Sequence, residues 1–432
     1  DHDDLTGLYN RRALVSHLEQ RLAAGQPGPV STLFFDLDRL KAINDYLGHT
    51  AGDWFIRVLA ERLRQCGDGE NLIARLGGDE FVVVPQSPMD EVSAEALAYR
   101  LQAALRERVA IDGEMLTRTV SIGVAQGTPG VDTTSDLLRR ADQAVLTAKN
   151  SGGNKVAVFT NDMAMKNEFR NDIELHLQNV IESGALVLHY LPEVDMRTGE
   201  ILATEALVRW QHPTRGLLSP DAFIGVAESI NLAGELGRWV MRSACADFAA
   251  WQSRGLGKGT VMRINVSPVQ LVIEGFVESV AAIIDEFDLA HGSVCLEITE
   301  SVVVQDIETT RVTLAELKDA GVRIAIDDFG TGYSAFSHLK SLPVDTLKID
   351  RGFVRELGAD PGDLAIVRAI IALAEAFGLE LVAEGVETEV AALTLLRHGC
   401  HRAQGFLLSR PIASAAMESL LAKGHLAVKF SV

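Results

Sequence analysis

Two adjacent carboxylates close an apolar run in the second half of the chain, Val322-Arg-Ile-Ala-Ile-Asp327-Asp328-Phe329-Gly330-Thr331-Gly332. Neighbouring side chains of a strand face opposite sides, so Asp327 and Asp328 can serve one site only where the strand ends and the chain begins to turn. A solvated Asp-Asp turn or a helix cap is the other reading of such a pair. Further polar residues stand at neighbouring apolar runs: Glu205, Asn265, Glu297, Lys348, Glu384 with Glu387, and Gln404. Several oxygen ligands from separate strands, with no Cys or His among them, would repel one another unless cations lay between. That pattern calls for Mg2+ or Mn2+, two ions in all. Two such metals about 4 Å apart hold a phosphodiester, generate hydroxide and stabilise the leaving oxygen. The residues point to metal-dependent phosphoester hydrolysis, with a carboxylate-based sugar hydrolase as the alternative.

A second acidic group lies in the first half. Ser31-Thr-Leu-Phe-Phe-Asp36-Leu-Asp38 is an apolar run with acidic residues at its end, and Gly77-Gly78-Asp79-Glu80 separates two further apolar runs. The latter reads as a hairpin with its tip at the glycines. Asp36 and Asp79-Glu80 would suit a divalent cation bridging phosphates, and Gly77 and Gly78 would let a phosphate chain approach the backbone. A plain hairpin tip is the blander reading of the same four residues.

The elements that must position these groups differ between the halves. After an amphipathic helix to about Ala24, residues to about 160 read β-α-α-β-β-α-β-α, with helices at Asp53–Cys66, Met89–Val109 and Ser135–Asn150 and a strand at Thr117–Gln126. This is an α+β sandwich. Helical spacing of Phe169, Ile173, Leu177, Val180 and Ile181 predicts a connecting helix over Lys166–Ser183. From Ala185 onward eight strand candidates alternate with helical segments: Leu186–Tyr190, Ile201–Trp210, Val261–Val266, Val294–Thr299, Val322–Asp328, Thr346–Ile349, Leu379–Val386 and Ala403–Leu408. Eight such strands predict an α/β TIM-like (β/α)8 barrel, with its site at the strand ends. The expected organisation is therefore 1–160, a connecting helix at 161–184, and 185–432. No flexible linker intervenes, so rigid coupling of the two domains is expected.

Composition narrows the classes. The 432 residues hold 47% hydrophobic residues, enough for full cores, and carry a net charge of −19. Residues 1–160 contribute −5 and the remainder −14, which argues against binding a nucleic-acid duplex. Four cysteines without paired spacing, Cys66, Cys245, Cys295 and Cys400, fit buried free thiols in a reducing, cytoplasmic setting. No uncharged apolar run reaches the length of a membrane span. The sequence opens at Asp1 without a methionine, and an upstream sensor or inner-membrane anchor is expected to precede it.

Four motifs of the first half agree in order and spacing with one known family: Asp3-Asp-Leu-Thr-Gly-Leu-Tyr-Asn-Arg-Arg12, Phe34-Phe-Asp36-Leu-Asp-Arg-Leu-Lys41-Ala-Ile-Asn44-Asp, Gly48-His-Thr-Ala-Gly-Asp53 and Arg75-Leu-Gly-Gly-Asp-Glu-Phe81. Residues 1–160 resemble the GGDEF family of diguanylate cyclases. The resemblance implies a cyclase palm-like sandwich with a mostly antiparallel central sheet, and two such domains that each hold one GTP and join them into cyclic di-GMP. It implies Asp36 and Asp79 as ligands of a magnesium ion with GTP, and Glu80 beside them as metal ligand or base. Asn44 and Asp53 would read guanine, while Lys41 and Lys149 would hold phosphates. Two departures stand out. Asp68-Gly-Glu-Asn71 replaces the family's product-inhibition motif, so feedback through that site is expected to be absent. Gly153 replaces a phosphate-contacting basic residue, which weakens the expected grip on GTP unless Lys155 compensates.

The second half resembles the EAL family of cyclic-di-GMP phosphodiesterases from about residue 165 to 432. The motifs are Glu205-Ala-Leu-Val-Arg209-Trp-Gln-His-Pro213, Asn265-Val-Ser-Pro-Val-Gln-Leu271, Leu296-Glu-Ile-Thr-Glu-Ser301, Asp327-Asp-Phe-Gly-Thr-Gly-Tyr-Ser334, Leu347-Lys-Ile-Asp350, Ala383-Glu-Gly-Val-Glu-Thr388 and Gln404-Gly-Phe406. The resemblance implies one metal held by Glu205, Asn265, Glu297 and Asp327, and a second by Asp327, Asp328 and Glu384. Lys348 would orient the attacking water, with Glu387 and Gln404 supporting the ligands. Arg209 would contact substrate phosphate, and Glu300 would brace the loop Phe329–Ser334. Leu191 stands where the family has a glutamine, which removes one polar contact to the dinucleotide.

Together these readings imply an enzyme of cyclic di-GMP turnover, expected to be a homodimer, with hydrolysis to linear pGpG dominant. The alternatives are a bifunctional cyclase and phosphodiesterase switched by dimerisation or an upstream sensor, and a non-enzymatic regulator that binds GTP or cyclic di-GMP.

Overall fold

The computed structural model describes residues 1–427 apart from 39, 67–70, 107, 112–113, 118, 306, 332–338 and 359. The chain divides into two compact units, Asp1–Asn171 and Asp172–Val432. The division falls inside one helix, Asn161–Ser183.

In the first unit seven strands are described: β1 (Val30–Leu37), β2 (Leu72–Gly77), β3 (Glu80–Val84), β4 (Val109–Ile111), β5 (Glu114–Leu116), β6 (Val120–Gly127) and β7 (Val156–Val158). Five form a sheet in the order β2-β3-β1-β6-β7, antiparallel except between β6 and β7. Period-two alternation loads both faces. Leu33, Phe35 and Ile122 pack against Phe55, Leu59 and Leu97 from the helices His49–Cys66 and Glu91–Leu105. Phe34, Val82 and Ala125 pack against Leu14, Leu18, Leu137 and Ala141 from the helices Arg11–Leu22 and Thr134–Asn150. The expected sandwich is therefore present, with two additions. β4 and β5 form a small separate hairpin where the sequence pattern continued a helix to Val109, and β7 joins the sheet edge beyond the last helix. That helix lies so close to β6 that a Cβ on Gly123 would come within 2.1 Å of the Ala141 carbonyl; this contact fixes the rod that carries Lys149.

The second unit is a closed barrel of eight strands: β8 (Leu186–Asp195), β9 (Ile201–His212), β11 (Val261–Asn265), β12 (Val294–Thr299), β13 (Arg323–Phe329), β14 (Thr346–Ile349), β15 (Glu380–Ala383) and β16 (Arg402–Ala403), with β10 (Gly216–Leu218) and β17 (Ile412–Ala413) as short additions. Strands β9 and β11 to β16 run parallel to one another. The first strand departs from a regular (β/α)8 pattern, since β8 runs antiparallel to both β9 and β16. The cause is local. Asp195 to Glu200 make a tight turn, with Gly199 at φ 77° and its N–H donating to the Asp195 carbonyl at 2.7 Å. A turn that short can join only antiparallel strands. The last strand shrinks to two residues, and the chain beyond it turns through Gly405.

Small side chains line part of the barrel interior, where Ala203, Val261, Cys295 and Ala325 cluster. They leave room for two long cations, Arg263 and Lys348, both buried. Among the described residues no helix is long and apolar enough to cross a membrane.

Candidate functional site

The barrel strands deliver one polar side chain each because residues two apart share a face. Glu205 on β9, Asn265 at the end of β11, Glu297 on β12, Asp327 on β13 and Lys348 on β14 thus converge at the strand ends, joined by Glu384 and Gln404 just past β15 and β16. Lys348 is the hub. Its Nζ lies 2.8 Å from Glu297, 2.5 Å from Glu384, 3.5 Å from Asp327 and 3.6 Å from Glu205. Two amides tie the carboxylates further. Asn265 donates to Glu205 at 2.7 Å, and Gln404 Nε2 lies 2.7 Å from both Glu205 and Glu384.

Asp328 joins the group by a backbone device. The ladder between β13 and β14 slips between Ile326 and Phe329, and Asp328 adopts φ 53°, a left-handed conformation that costs a non-glycine residue about 1–3 kcal/mol. This kink replaces the simple strand end inferred from the sequence, and it lets two consecutive carboxylates face one place. One oxygen each from Asp327, Asp328 and Glu384 lies within 4.8 Å of the others.

The electrostatics favour a cation. Burial works against the charge on Lys348, but Asp327, Glu205, Glu297 and Glu384 together hold its pKa well above the ordinary value. One ammonium cannot neutralise four acids. Burial pushes Glu297 up to about 8 despite Lys348, and burial raises Glu384 well above its usual range. Asp328 rises to about 6 through burial and the nearby Asp327 and Asp350. Glu205 is held below the ordinary value, since Lys348, Asn265 and Gln404 outweigh its burial. Oε1 of Glu297 and Oε1 of Gln404 are buried without a hydrogen-bond partner. Unsatisfied oxygens beside crowded carboxylates fit hard divalent cations. A cavity of about 570 Å³ opens over this cluster.

The remaining site residues of this unit are placed differently. Glu300, buried, accepts from the Gly330 N–H at 2.9 Å, at the start of the loop it was expected to brace; residues 332–334 of that loop lie outside the described residues. Arg209 is half-buried and donates to the Val208 carbonyl at 2.8 Å, and it is not on the cavity wall. Glu387 pairs with Arg355 at 3.4 Å instead of joining the carboxylate cluster. Leu191 is buried opposite Glu205 in the β8–β9 register. Two residues without an assigned role in the sequence reading, Asp350 and Arg351, line the cavity. The signal was parity, since Asp350 lies two residues beyond Lys348.

In the first unit Asp36 ends β1 opposite Glu80 of β3, which brings the two acidic tips together. Lys149 reaches Asp36 at 2.5 Å. Burial, with Asp79 and Glu80 adding to it, lifts Asp36 to about 6, and burial and Asp142 raise Glu80. Gly77 and Gly78 take φ 144° and 52°, with open space beside both. Arg75 fixes this tip by donating to the Gly78 carbonyl at 2.7 Å while bridging to Asp3 at 3.1 Å. Asn44 packs on Gly52, where a Cβ would fall 2.0 Å from its Oδ1; this sets Asn44 beside the exposed Asp53. Lys41 is exposed. Gly153 sits at φ 71° against Asp38, and Lys155 donates to the Ser151 carbonyl at 2.5 Å. Residues 68–70, which carry most of the altered inhibition motif, lie outside the described residues.

A closed barrel with buried carboxylates at its strand ends follows an α+β unit with acidic strand tips, and the barrel cluster of Asp327, Asp328 and Glu384 could hold a cation. The comparisons with known proteins agree. Residues 1–155 match the diguanylate cyclase GGDEF domain, and residues 174–411 match the EAL domain. An uncharacterized protein of Mycobacterium tuberculosis is 66% identical over 426 residues, covering 99% of this chain and 68% of that protein. The bifunctional diguanylate cyclase/cyclic di-GMP phosphodiesterase MucR of Pseudomonas aeruginosa is 39% identical over 423 residues, covering 98% of this chain and 61% of MucR. The solved PaMucR phosphodiesterase in its c-di-GMP complex is 41% identical, with a TM-score of 0.55, and covers 57% of this chain and 99% of that one. The chain belongs to the tandem GGDEF–EAL family.

Proposed function

We propose that the second unit hydrolyses cyclic di-GMP to linear pGpG, and that the first binds GTP and joins two GTP into cyclic di-GMP when two copies meet in a homodimer. The observation that carries the hydrolytic reading is the buried set Glu205, Asn265, Glu297, Asp327, Asp328 and Glu384 around Lys348. These residues would hold two ions of magnesium or manganese. When bound, such ions would supply charge stabilisation at the phosphate and acidify a water at neutral pH. Lys348, fixed by Glu297 and Glu384, holds the attacking water by hydrogen bonding. Gln404 keeps Glu205 and Glu384 in register. Glu300 holds the Gly330 backbone, and Arg209 and Glu387 act at the edge of the site.

In the first unit Asp36, Asp79 and Glu80 would hold magnesium with GTP. Lys41 and Lys149 contact its phosphates, Asn44 and Asp53 read guanine, and Gly77 and Gly78 admit the phosphate chain. The Asp36–Lys149 pair and the acidic tips support a bifunctional protein over a lone hydrolase, its direction set by dimerisation or an upstream sensor. A cytoplasmic setting fits four free cysteines, although only Cys245, Cys295 and Cys400 are buried as expected and Cys66 is exposed.

The test is a product assay with manganese or magnesium, given cyclic di-GMP alone, GTP alone, or both. Glu205→Ala should abolish pGpG formation while leaving any synthesis from GTP. Asp79→Ala should abolish synthesis while leaving hydrolysis. Unchanged pGpG production by Glu205→Ala would overturn the hydrolytic assignment, and unchanged synthesis by Asp79→Ala the other.

A further inference from the structure

The wall of the large cavity is predominantly acidic. Among the described residues it is lined by eight carboxylates, those of Asp221, Glu228 and Asp350 in addition to the metal-site acids, and by a single cationic side chain, Arg351. Lys348 is not on that wall. It is fully buried and committed to Glu297 and Glu384.

The position of Arg351 is fixed while its charge is free. It follows directly on Asp350 and opens the short helix Arg351–Arg355. Its stem packs on Gly385, where an added Cβ would come within 2.5 Å of the Arg351 Cβ and 3.2 Å of its Cα. Gly385 follows Glu384, so the arginine stands beside the metal-site acids. No hydrogen bond or ion pair holds its guanidinium among the described residues, and the residue is exposed. An arginine anchored at its base with an unengaged planar fork suits the oxygens of a phosphate.

A cyclic dinucleotide brings two phosphodiesters, each with one negative charge. The scissile one would lie against the cations that Asp327, Asp328 and Glu384 would hold. The other must lie in the same cavity against a wall of carboxylates, and it needs a counter-charge there. We propose that Arg351 binds the non-scissile phosphodiester of cyclic di-GMP and so selects a substrate with two phosphates over one with a single phosphate. This rests on the phosphodiesterase reading of the same cavity.

The test uses the full chain with manganese and compares Arg351→Met and Arg351→Lys with the unaltered protein. Circular dichroism melts confirm folding. For cyclic di-GMP the methionine variant should raise KM about ten- to hundredfold, the loss of one charge-assisted pair, with kcat nearly unchanged. Lysine should recover part of the loss, since it keeps the charge without the fork. Bis(p-nitrophenyl) phosphate, which has one phosphodiester, should be cleaved equally by all three. Calorimetric titration of cyclic di-GMP in EDTA, where no turnover occurs, should show the same ranking in Kd. A methionine variant with unchanged KM and Kd for cyclic di-GMP overturns the proposal, and so does an equal loss on both substrates. A chain that turns over neither substrate would refute hydrolysis, while the EDTA titration would still decide the role of Arg351.

Discussion

Replacing Arg263 by methionine is expected to cost the second unit about 3–5 kcal/mol, the usual penalty for removing one partner of a buried ion pair. Arg263 is 1% exposed in the barrel interior and lies 2.6 Å from the wholly buried Glu193 and 3.6 Å from Glu297. The chain of charges continues beyond it, since Glu193 also meets Arg402 at 2.6 Å, and Arg402 meets Glu380 at 2.8 Å. Burial alone would raise Glu193, but Arg263 and Arg402 hold its carboxyl below the ordinary value. Without Arg263, Glu193 keeps one partner and Glu297 keeps Lys348, so each acid loses part of its compensation. At about 2–4 °C per kcal/mol for a unit of this size, the melting temperature should fall by roughly 6–20 °C. The double variant Arg263→Met with Glu193→Leu should recover at least half of that fall, because replacing both partners leaves no stranded acid. Arg402 then still has Glu380. Calorimetric melts of the three proteins in EDTA give the answer. A single variant within 2 °C of the parent, or a double variant less stable than the single, would refute the account of the barrel interior as a compensated column of charge.

Two further outcomes follow from the same geometry. Glu297, raised to about 8, binds more protons in the folded chain than in the unfolded one; its stabilising contribution is therefore present below the ordinary carboxyl range and lost as pH rises through 8. Glu384 has the same sign, whereas His17 and His189, lowered by burial, act oppositely only near and below pH 6.5. Metal-free protein should thus lose melting temperature between pH 7 and 8.5, and manganese should reverse that slope because it binds the deprotonated ligands; a metal-free slope that rises over this window contradicts the assignment. In the first unit, Gly52→Ala would place a Cβ 2.0 Å from Asn44 Oδ1, so GTP binding measured by titration should weaken severalfold while the circular dichroism spectrum stays unchanged; wild-type affinity would remove Asn44 from the guanine contact.

Much of the barrel site was legible because its chemistry follows parity. Glu205, Asn265, Glu297, Asp327 and Lys348 stand alone among apolar neighbours on short strands, and alternation aims them inward wherever both flanking strands are buried. The same rule was available for Arg263 in Val261-Met-Arg-Ile-Asn265, since a charge inside a buried strand needs a partner. Glu193 was harder to connect, because the partners are 70 residues apart in sequence and only barrel closure joins them. The position of Glu387 depended on Arg355, which approaches from the helix Arg351–Arg355, and no spacing within Glu384-Gly-Val-Glu387 reveals that. The reversed β8 was written in its Asp195–Glu200 turn, yet counting strands does not register direction. The β4–β5 hairpin was hidden because Val109–Ile111 continues the apolar pattern of the preceding helix.

Both units hold their acids by the same expedient. Lys149 reaches across to Asp36 at 2.5 Å, and Lys348 rises among Glu205, Glu297, Asp327 and Glu384. In each place burial still raises a carboxyl well above its ordinary value, to about 6 for Asp36 and about 8 for Glu297. A lysine that fully neutralised its site would leave no drive to take up a cation, and a site with no lysine would pull its acids apart or protonate them before a cation arrived. Partial compensation avoids both failures. It keeps the ligands gathered, which lowers the ordering cost of binding, and leaves negative charge for a divalent ion to satisfy. The left-handed turn at Asp328 belongs to the same balance, since its strain is tolerable only while the packing of Phe329 and the Glu300–Gly330 hydrogen bond hold the chain immediately beyond it. Loosening Glu300 should therefore weaken metal affinity before it affects the melting of the barrel.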